Sequence, residues 1–294
     1  MLLPSDRRLE RPGIPHRDYI LTEYKPRADP TGRLHASSLF RFALRQAGWL
    51  DAVWPICETL QAALGPEQTV WGFKYGPQGF GVELYFYNFS QNGPDNDKSV
   101  EKLRAILAPH LRFDAGVDEA ARYFMCSFEL THQGLAEGRG EPFRIYVRTG
   151  DQGRQEAGFS YRVEPGAMVM ENHYWFYKAA DKTELEDAVR RVAHSPRTGT
   201  KQAWGTLLPR YLREDCTTIC YAVKPRSDSV YYSRIGTPAL ARFLERHLPG
   251  PVAQALRAHD DDFAHVGWDL GFDYCARPSD ARVALPKIGI YSVL

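Results

Sequence analysis

Long apolar runs are missing: nothing in the 294 residues approaches the ~18 consecutive apolar residues that would cross a bilayer as a helix. The start, MLLPSDRRLERPG, turns polar after three residues, unlike a secretory leader. Net charge is nearly missing too. With 37 Lys and Arg against 36 Asp and Glu the chain carries +1 and no basic or acidic tail, which speaks against nucleic-acid binding driven by bulk charge. Cysteine is sparse and odd in number. Cys57, Cys126, Cys216, Cys220 and Cys275 are scattered, with no C-x-x-C spacing, so neither a disulfide framework nor a zinc site is expected and a reduced, cytoplasmic setting fits. No glycine-rich phosphate loop is present, and HDDDF (259–263) reads as a helix end in a solvated loop rather than a metal-binding aspartate motif.

Aromatic residues are abundant, with 16 Tyr, 15 Phe and 6 Trp, and they gather in strand-like segments. Five strand pairs stand out: 69–76 with 80–89, 123–132 with 142–149, 158–164 with 168–178, 217–225 with 229–234, and 265–274 with 285–293. Each is rich in β-branched or aromatic residues and is joined by turn residues or a short link, such as Pro77-Gln78-Gly79 and Pro165-Gly166. Between the pairs lie stretches with apolar residues at helical spacing. Ser37 or Ser38 should cap a helix through Phe40, Ala43 and Leu44. A second runs through Val53, Cys57, Leu60 and Leu64, and Ser99 should cap a third. Further helices are expected at 182–194, 202–213, from Thr237-Pro238 onward, and at 251–263. The link TGDQGRQEA between the second and third pairs is too short for much helix.

Helix and hairpin thus alternate about five times. Ten antiparallel strands in consecutive hairpins can close into a barrel, which removes both sheet edges, with the helices as an outer ring. The expected fold is therefore α+β: residues 1–35, rich in Pro, Arg and Asp, wrap the surface, and 36–294 form one barrel domain. Strand faces toward the helices should be apolar and faces toward the lumen can be polar. The strands read that way. Val82, Leu84 and Phe86 oppose Glu83, Tyr85 and Tyr87; Phe143, Ile145 and Val147 oppose Arg144, Tyr146 and Arg148; Ile288 and Ile290 oppose Lys287, Gly289 and Tyr291.

TVWGFKYGPQGFGVELYFYNF (69–89), ENHYW (171–175), SVYYSR (229–234), HVGWDLGFDY (265–274) and LPKIGIYSVL (285–294) together resemble the ABBA prenyltransferases, whose fold is a ten-stranded antiparallel barrel inside a ring of helices. The last two repeats and the length are similar to the members that prenylate ribosomally made cyclic peptides, the cyanobactins. The resemblance implies an allylic diphosphate donor, dimethylallyl or geranyl, in the lumen. It also implies a peptide side chain or small aromatic acceptor, and magnesium assisting the diphosphate with no organic cofactor. Lys287 falls at a diphosphate-binding lysine of the family, Lys224 and Arg144 fall where members place cations, and Asn172 and Tyr174 are implied to face the lumen. The chain departs from the family in its first hairpin, where only Lys74 stands near an expected arginine, and at the base position, for which Gln68 and Glu67 compete.

Elementary chemistry asks for the same groups. Breaking an allylic C–O bond leaves an anion, for which Lys287, Lys224 and Arg144, joined by Lys74, Arg148 and Arg234, can form a collar. The cation left behind needs π-faces, for which Tyr85, Tyr146, Tyr174, Tyr232 and Tyr291 are candidates. Glu83, then Glu67 and Asp269, are candidates to take or orient the acceptor's proton. Each residue also has an ordinary reading. Lysines snorkel to rims, strand tyrosines pack in cores, and Glu83 can pair with an arginine. The competing functions are a non-catalytic barrel that carries an apolar ligand and an unrelated α+β enzyme whose hairpins do not close. A monomer without nucleic-acid or membrane partners is expected.

Overall fold

The computed structural model describes residues 25–88, 98–117, 121–149, 156–198, 204–276 and 283–294. Its ten strands are β1 (Val70–Gly76), β2 (Gly79–Tyr87), β3 (Met125–Leu130), β4 (Arg144–Thr149), β5 (Glu156–Glu164), β6 (Ala167–Lys178), β7 (Thr218–Val223), β8 (Asp228–Ile235), β9 (Trp268–Ala276) and β10 (Val283–Val293). Each pairs antiparallel with its chain neighbours, and β10 returns to β1, with Val70 opposite Val293 and Tyr75 opposite Ile288, so the barrel is closed.

The helices are α1 (Ser37–Ala47), α2 (Leu50–Leu64), α3 (Val100–Leu107), α4 (His132–Ala136), α5 (Lys182–His194), α6 (Trp204–Leu207), α7 (Arg210–Arg213), α8 (Thr237–His247) and α9 (Pro251–Ala258). Their apolar stripes cover the outer face of the barrel, and the main core lies in that shell. Phe40 of α1 stacks on Trp71 with ring centroids 5.0 Å apart, and Phe243 of α8 stacks on Phe272 at 5.2 Å. Trp71, Phe73, Leu84, Phe86, Phe128, Ile145, Leu270 and Ile290 are all buried on this side.

Several helix expectations need correction. Ser37 and Ser38 lie inside α1, and Ala36 is its cap position. Ser37 instead bonds the ring of His35, so its hydroxyl is not free to cap. Ser99 does cap α3, accepting from the Lys102 amide. The expected 202–213 helix is two short ones, because Pro209 has no amide to continue the first. Gly236, not Thr237, caps α8, and the Thr237 hydroxyl donates to the Phe263 carbonyl. The helix expected at 251–263 stops at Ala258 and resumes as a 3-10 turn at Asp261–Phe263. The link in the second hairpin contains α4, capped by Thr131. Residues 1–24 of the expected surface segment, and 150–155 of the link before β5, lie outside the described residues. Beyond residue 24, Arg27 holds Asp215 and the Arg234 carbonyl, and Leu34 is buried.

Candidate functional site: a two-ended barrel lumen

The described hairpin turns lie at one end of the barrel, and the lumen changes character along its length. Near the turns it is a polar mouth of about 310 Å³, lined by Lys74, Glu83, Glu129, Arg144, Glu171, Asn172, Lys287 and the Lys224–Ser227 turn. Toward the far end it is an apolar chamber of about 110 Å³, walled by Val70, Tyr87, Phe124, Met125, Phe176 and Cys220. Five tyrosines, Tyr85, Tyr146, Tyr174, Tyr231 and Tyr291, line both spaces and so form the belt between them.

Strand alternation puts most of these groups inward, and glycines let the rings lie flat. A Cβ on Gly271 would come within 2.3 Å of the Tyr231 ring, and one on Gly72 within 2.4 Å of the Tyr291 ring. Gly271 therefore makes room for a neighbouring side chain rather than for a ligand. Tyr85 and Tyr291 meet edge to face at 5.7 Å, and Tyr146 and Tyr174 lie 6.0 Å apart. Asn172 donates to Ser160 Oγ at 3.1 Å and to the Tyr174 hydroxyl at 2.9 Å, which fixes that ring.

The cations come together in the mouth, but interleaved with carboxylates. On one wall Glu83 accepts from Lys74, from the Tyr85 hydroxyl at 2.7 Å and from Ser127 at 2.6 Å, with Arg144 at 3.8 Å. Arg144 also contacts Glu129 at 3.4 Å and Glu171 at 2.7 Å. On the opposite wall Asp273 binds Lys224 at 2.7 Å and Lys287 at 3.4 Å. Burial alone would push the Glu83 carboxyl up; Lys74 and Arg144 outweigh it and hold the group well below the usual range. Lys74 is the mirror case: burial would lower it, and Glu83 and Glu129 raise it. Burial likewise opposes ionisation of Asp273, yet Lys224 and Lys287 bring it down to about 2. For Lys224 burial wins, with Lys287 adding repulsion, and the ammonium falls to about 8 despite Asp273. Glu83, with both oxygens already accepting, anchors Lys74 and Tyr85 and is poorly suited to take up a proton.

Of the residues singled out in the sequence, Lys74, Glu83, Tyr85, Arg144, Tyr146, Asn172, Tyr174, Lys224, Lys287 and Tyr291 line the mouth. Three do not face the lumen. Tyr232 points into the helix shell, where its hydroxyl donates to the Leu207 carbonyl at 2.6 Å; its neighbour Tyr231 has the inward parity. Arg234 falls on an irregularity in the β8–β9 register with φ of 63°, which takes it out of the strand alternation; its amide donates to Asp269. Glu67 precedes β1 with φ of 59° and faces His35 at 3.7 Å. Asp269 borders the apolar chamber rather than the mouth, and Arg148 lies over the Phe124 ring, a chamber residue, at 5.2 Å.

Glu129, Glu171, Asp273, Tyr231 and Arg226 were missed. Glu129 and Asp273 were legible by extending the two-residue period from Ser127 and Asp269. Tyr231 was legible from its flanking inward serines, Ser229 and Ser233. Glu171 was not, because the β5–β6 register shifts between Ser160 and Tyr161 and brings it to the mouth out of turn.

Among the described residues no group of three His, Cys, Asp or Glu could hold a metal, and no helix is long and apolar enough to cross a membrane. Compared with known proteins, the chain matches no family model and no curated protein at a significant level.

Proposed function

We infer that the protein is a prenyltransferase of the ABBA type, moving an allylic group from its diphosphate to an acceptor at the tyrosine belt. The observation that carries this reading is the order of environments along one lumen: ionic mouth, five tyrosines, apolar chamber. A prenyl diphosphate has the same order of parts, with an anionic head, a reactive first carbon and a hydrocarbon tail. The head would sit against Lys74, Arg144, Lys224 and Lys287, which hold charge as it develops on the leaving diphosphate. As the C–O bond breaks, its electron pair leaves with the diphosphate. The electron-poor carbon lies among the ring faces of Tyr85, Tyr146, Tyr174, Tyr231 and Tyr291, each contributing about 0.5–2 kcal/mol. The acceptor's nucleophilic atom then bonds that carbon and its proton passes to a mouth carboxylate. Glu129, whose side chain is 28% exposed, is the carboxylate best reached by an acceptor. Magnesium would enter with the diphosphate as part of the substrate and neutralise some of its charge.

The chamber favours a short donor. An apolar cavity of about 150 Å³ accommodates benzene, and about 110 Å³ suits a five-carbon unit better than a ten-carbon one. The test is incubation with dimethylallyl or geranyl diphosphate plus a panel of amino acids, phenols and peptides, read by mass. Gain of one five-carbon unit on an acceptor is expected; no gain with either donor across the panel sinks the reading.

One observation favours a second reading, a non-catalytic carrier of an amphiphile. Carboxylates already offset most of the mouth's cations, so an anionic guest is not needed to explain why those cations converge. Binding of a prenyl diphosphate without turnover would select this alternative.

A further inference from the structure

The rim of the barrel is notched. On the β7 side, the pairing of β6 stops at His173 opposite Val223, after which the chain turns through Lys224–Ser227 into β8. β6 itself begins at Ala167 and pairs with β5 from there to Phe176, with one register shift at Glu171. Among the described residues, the six from Ala167 to Asn172 therefore have a strand partner on one side only, an open edge of about 20 Å. Across the notch, β9 and β10 remain paired past the start of β8, through Cys275–Ala284 and Ala276–Val283. Three strand spacings separate β6 from β9, so the gap is about 14 Å wide. Its floor, Pro225, Arg226 and Ser227, and the inner end of its β6 wall, Glu171 and Asn172, both line the mouth. Along that wall Met168, Val169 and Met170 are 56%, 36% and 58% exposed, an apolar run on a part of the chain that would ordinarily be covered or charged.

The geometry points to the notch as the docking site of an extended peptide that adds a strand to the free edge of β6 and delivers one side chain into the mouth. This rests on the prenyl-transfer reading and names its acceptor as a peptide segment. Open backbone groups in a row recognise an extended main chain and little else. The edge is continuous with the cation-lined mouth, so a strand laid on it ends where the donor's head would sit. Side chains of such a strand alternate. Those on the outer side meet Met168 and Met170, which select apolar residues at every second position, and those on the inner side pass Val169 toward Glu171.

The probes are fluorescein-labelled octapeptides alternating Val and Thr about a central Tyr, Trp or Arg, with binding read by anisotropy. At least one should bind the wild type. The M168K/M170K double variant, altered only at exposed positions, should weaken it about tenfold. Methylating peptide backbone nitrogens at every second residue should abolish binding, while methylating the intervening set should leave it unchanged, because only one set faces β6. No binding at millimolar peptide, indifference to the double variant, or no two-residue dependence on methylation overturns the proposal. So does a wild-type dimer in sedimentation that M168K/M170K splits, which would give the edge to a second copy. Transfer to N-acetyltyrosinamide, measured on the same proteins, separates the two readings. Transfer without peptide binding removes only the notch proposal; peptide binding without transfer to any acceptor removes the prenyl-transfer reading, and with it the peptide's role as acceptor, while the strand-docking edge stands.

Discussion

Glu83 shows how the mouth is built residue by residue. Its carboxylate is buried and ionised, which is tolerable only because Lys74, Tyr85 and Ser127 donate to it. Removing Lys74 alone takes away the nearer of its two cations and leaves Arg144 at 3.8 Å as the other. K74M should lower unfolding free energy in denaturant melts by about 3–5 kcal/mol, and K74M/E83Q should recover much of the loss. Lys224 supports a prediction in pH. Its ammonium titrates near 8 because burial opposes the charge, so the cation is present below that pH and lost above it. Affinity for a non-hydrolysable prenyl diphosphate, whose last ionisation lies near about pH 6, should fall from pH 7 to pH 9 in a binding titration. K224Q should bind more weakly at pH 7 and show no such fall. The same depressed value bears on stability with the opposite sense. The unfolded chain holds more protons between 8 and the ordinary lysine value, so this group's penalty on folding is greatest below 8 and fades as pH rises toward that value. The lysine–carboxylate pairings could not be read from the chain, because partners such as Lys74–Glu129 and Lys224–Asp273 are distant in sequence and meet only across the strands.

At the scale of elements, parity decides role. Tyr231 and Tyr232 are adjacent and chemically identical, yet one borders the lumen and the other serves the shell. Y231A should reduce binding of the prenyl diphosphate with little change in melting temperature. Y232F loses the bond to Leu207 and should destabilise by about 0.5–1.5 kcal/mol while leaving ligand binding intact. A thermal melt and a binding titration on both proteins separate these outcomes, and reversal of the pattern would contradict the register. The positions of all ten strands were legible, because hydrophobic alternation and turn residues are local. Irregularities were not. The register shift before Tyr161 carries Glu171 to the mouth, and the one between Tyr232 and Ile235 removes Arg234 from it. Each depends on how a strand fits its neighbour, not on its own residues.

For the whole molecule, closure is a contact between the first strand and the last. β10 bonds β1, the Leu294 amide donates to the Thr69 carbonyl, and the Glu67 amide donates to the Leu294 carbonyl. Deleting residues 283–294 would leave β1 and β9 as open edges and the lumen without Lys287 and Tyr291. The truncated chain should aggregate or lose its cooperative melt, as read by circular dichroism and light scattering. A conservative lesion in the same strand, I290A, removes a fully buried side chain from the shell and should cost about 2–5 kcal/mol with a single transition retained.

The sequence by itself determined the strands, most of the helices, their alternation and the inward parity of most of the lumen, since these follow from side-chain period and turn chemistry within a few residues. Tertiary structure alone decided which carboxylate neutralises which cation, where the lumen passes from ionic to apolar, and that β6 outruns β7 to leave a notch. Those features arise from the register between strands, and register is set by the closed barrel as a whole.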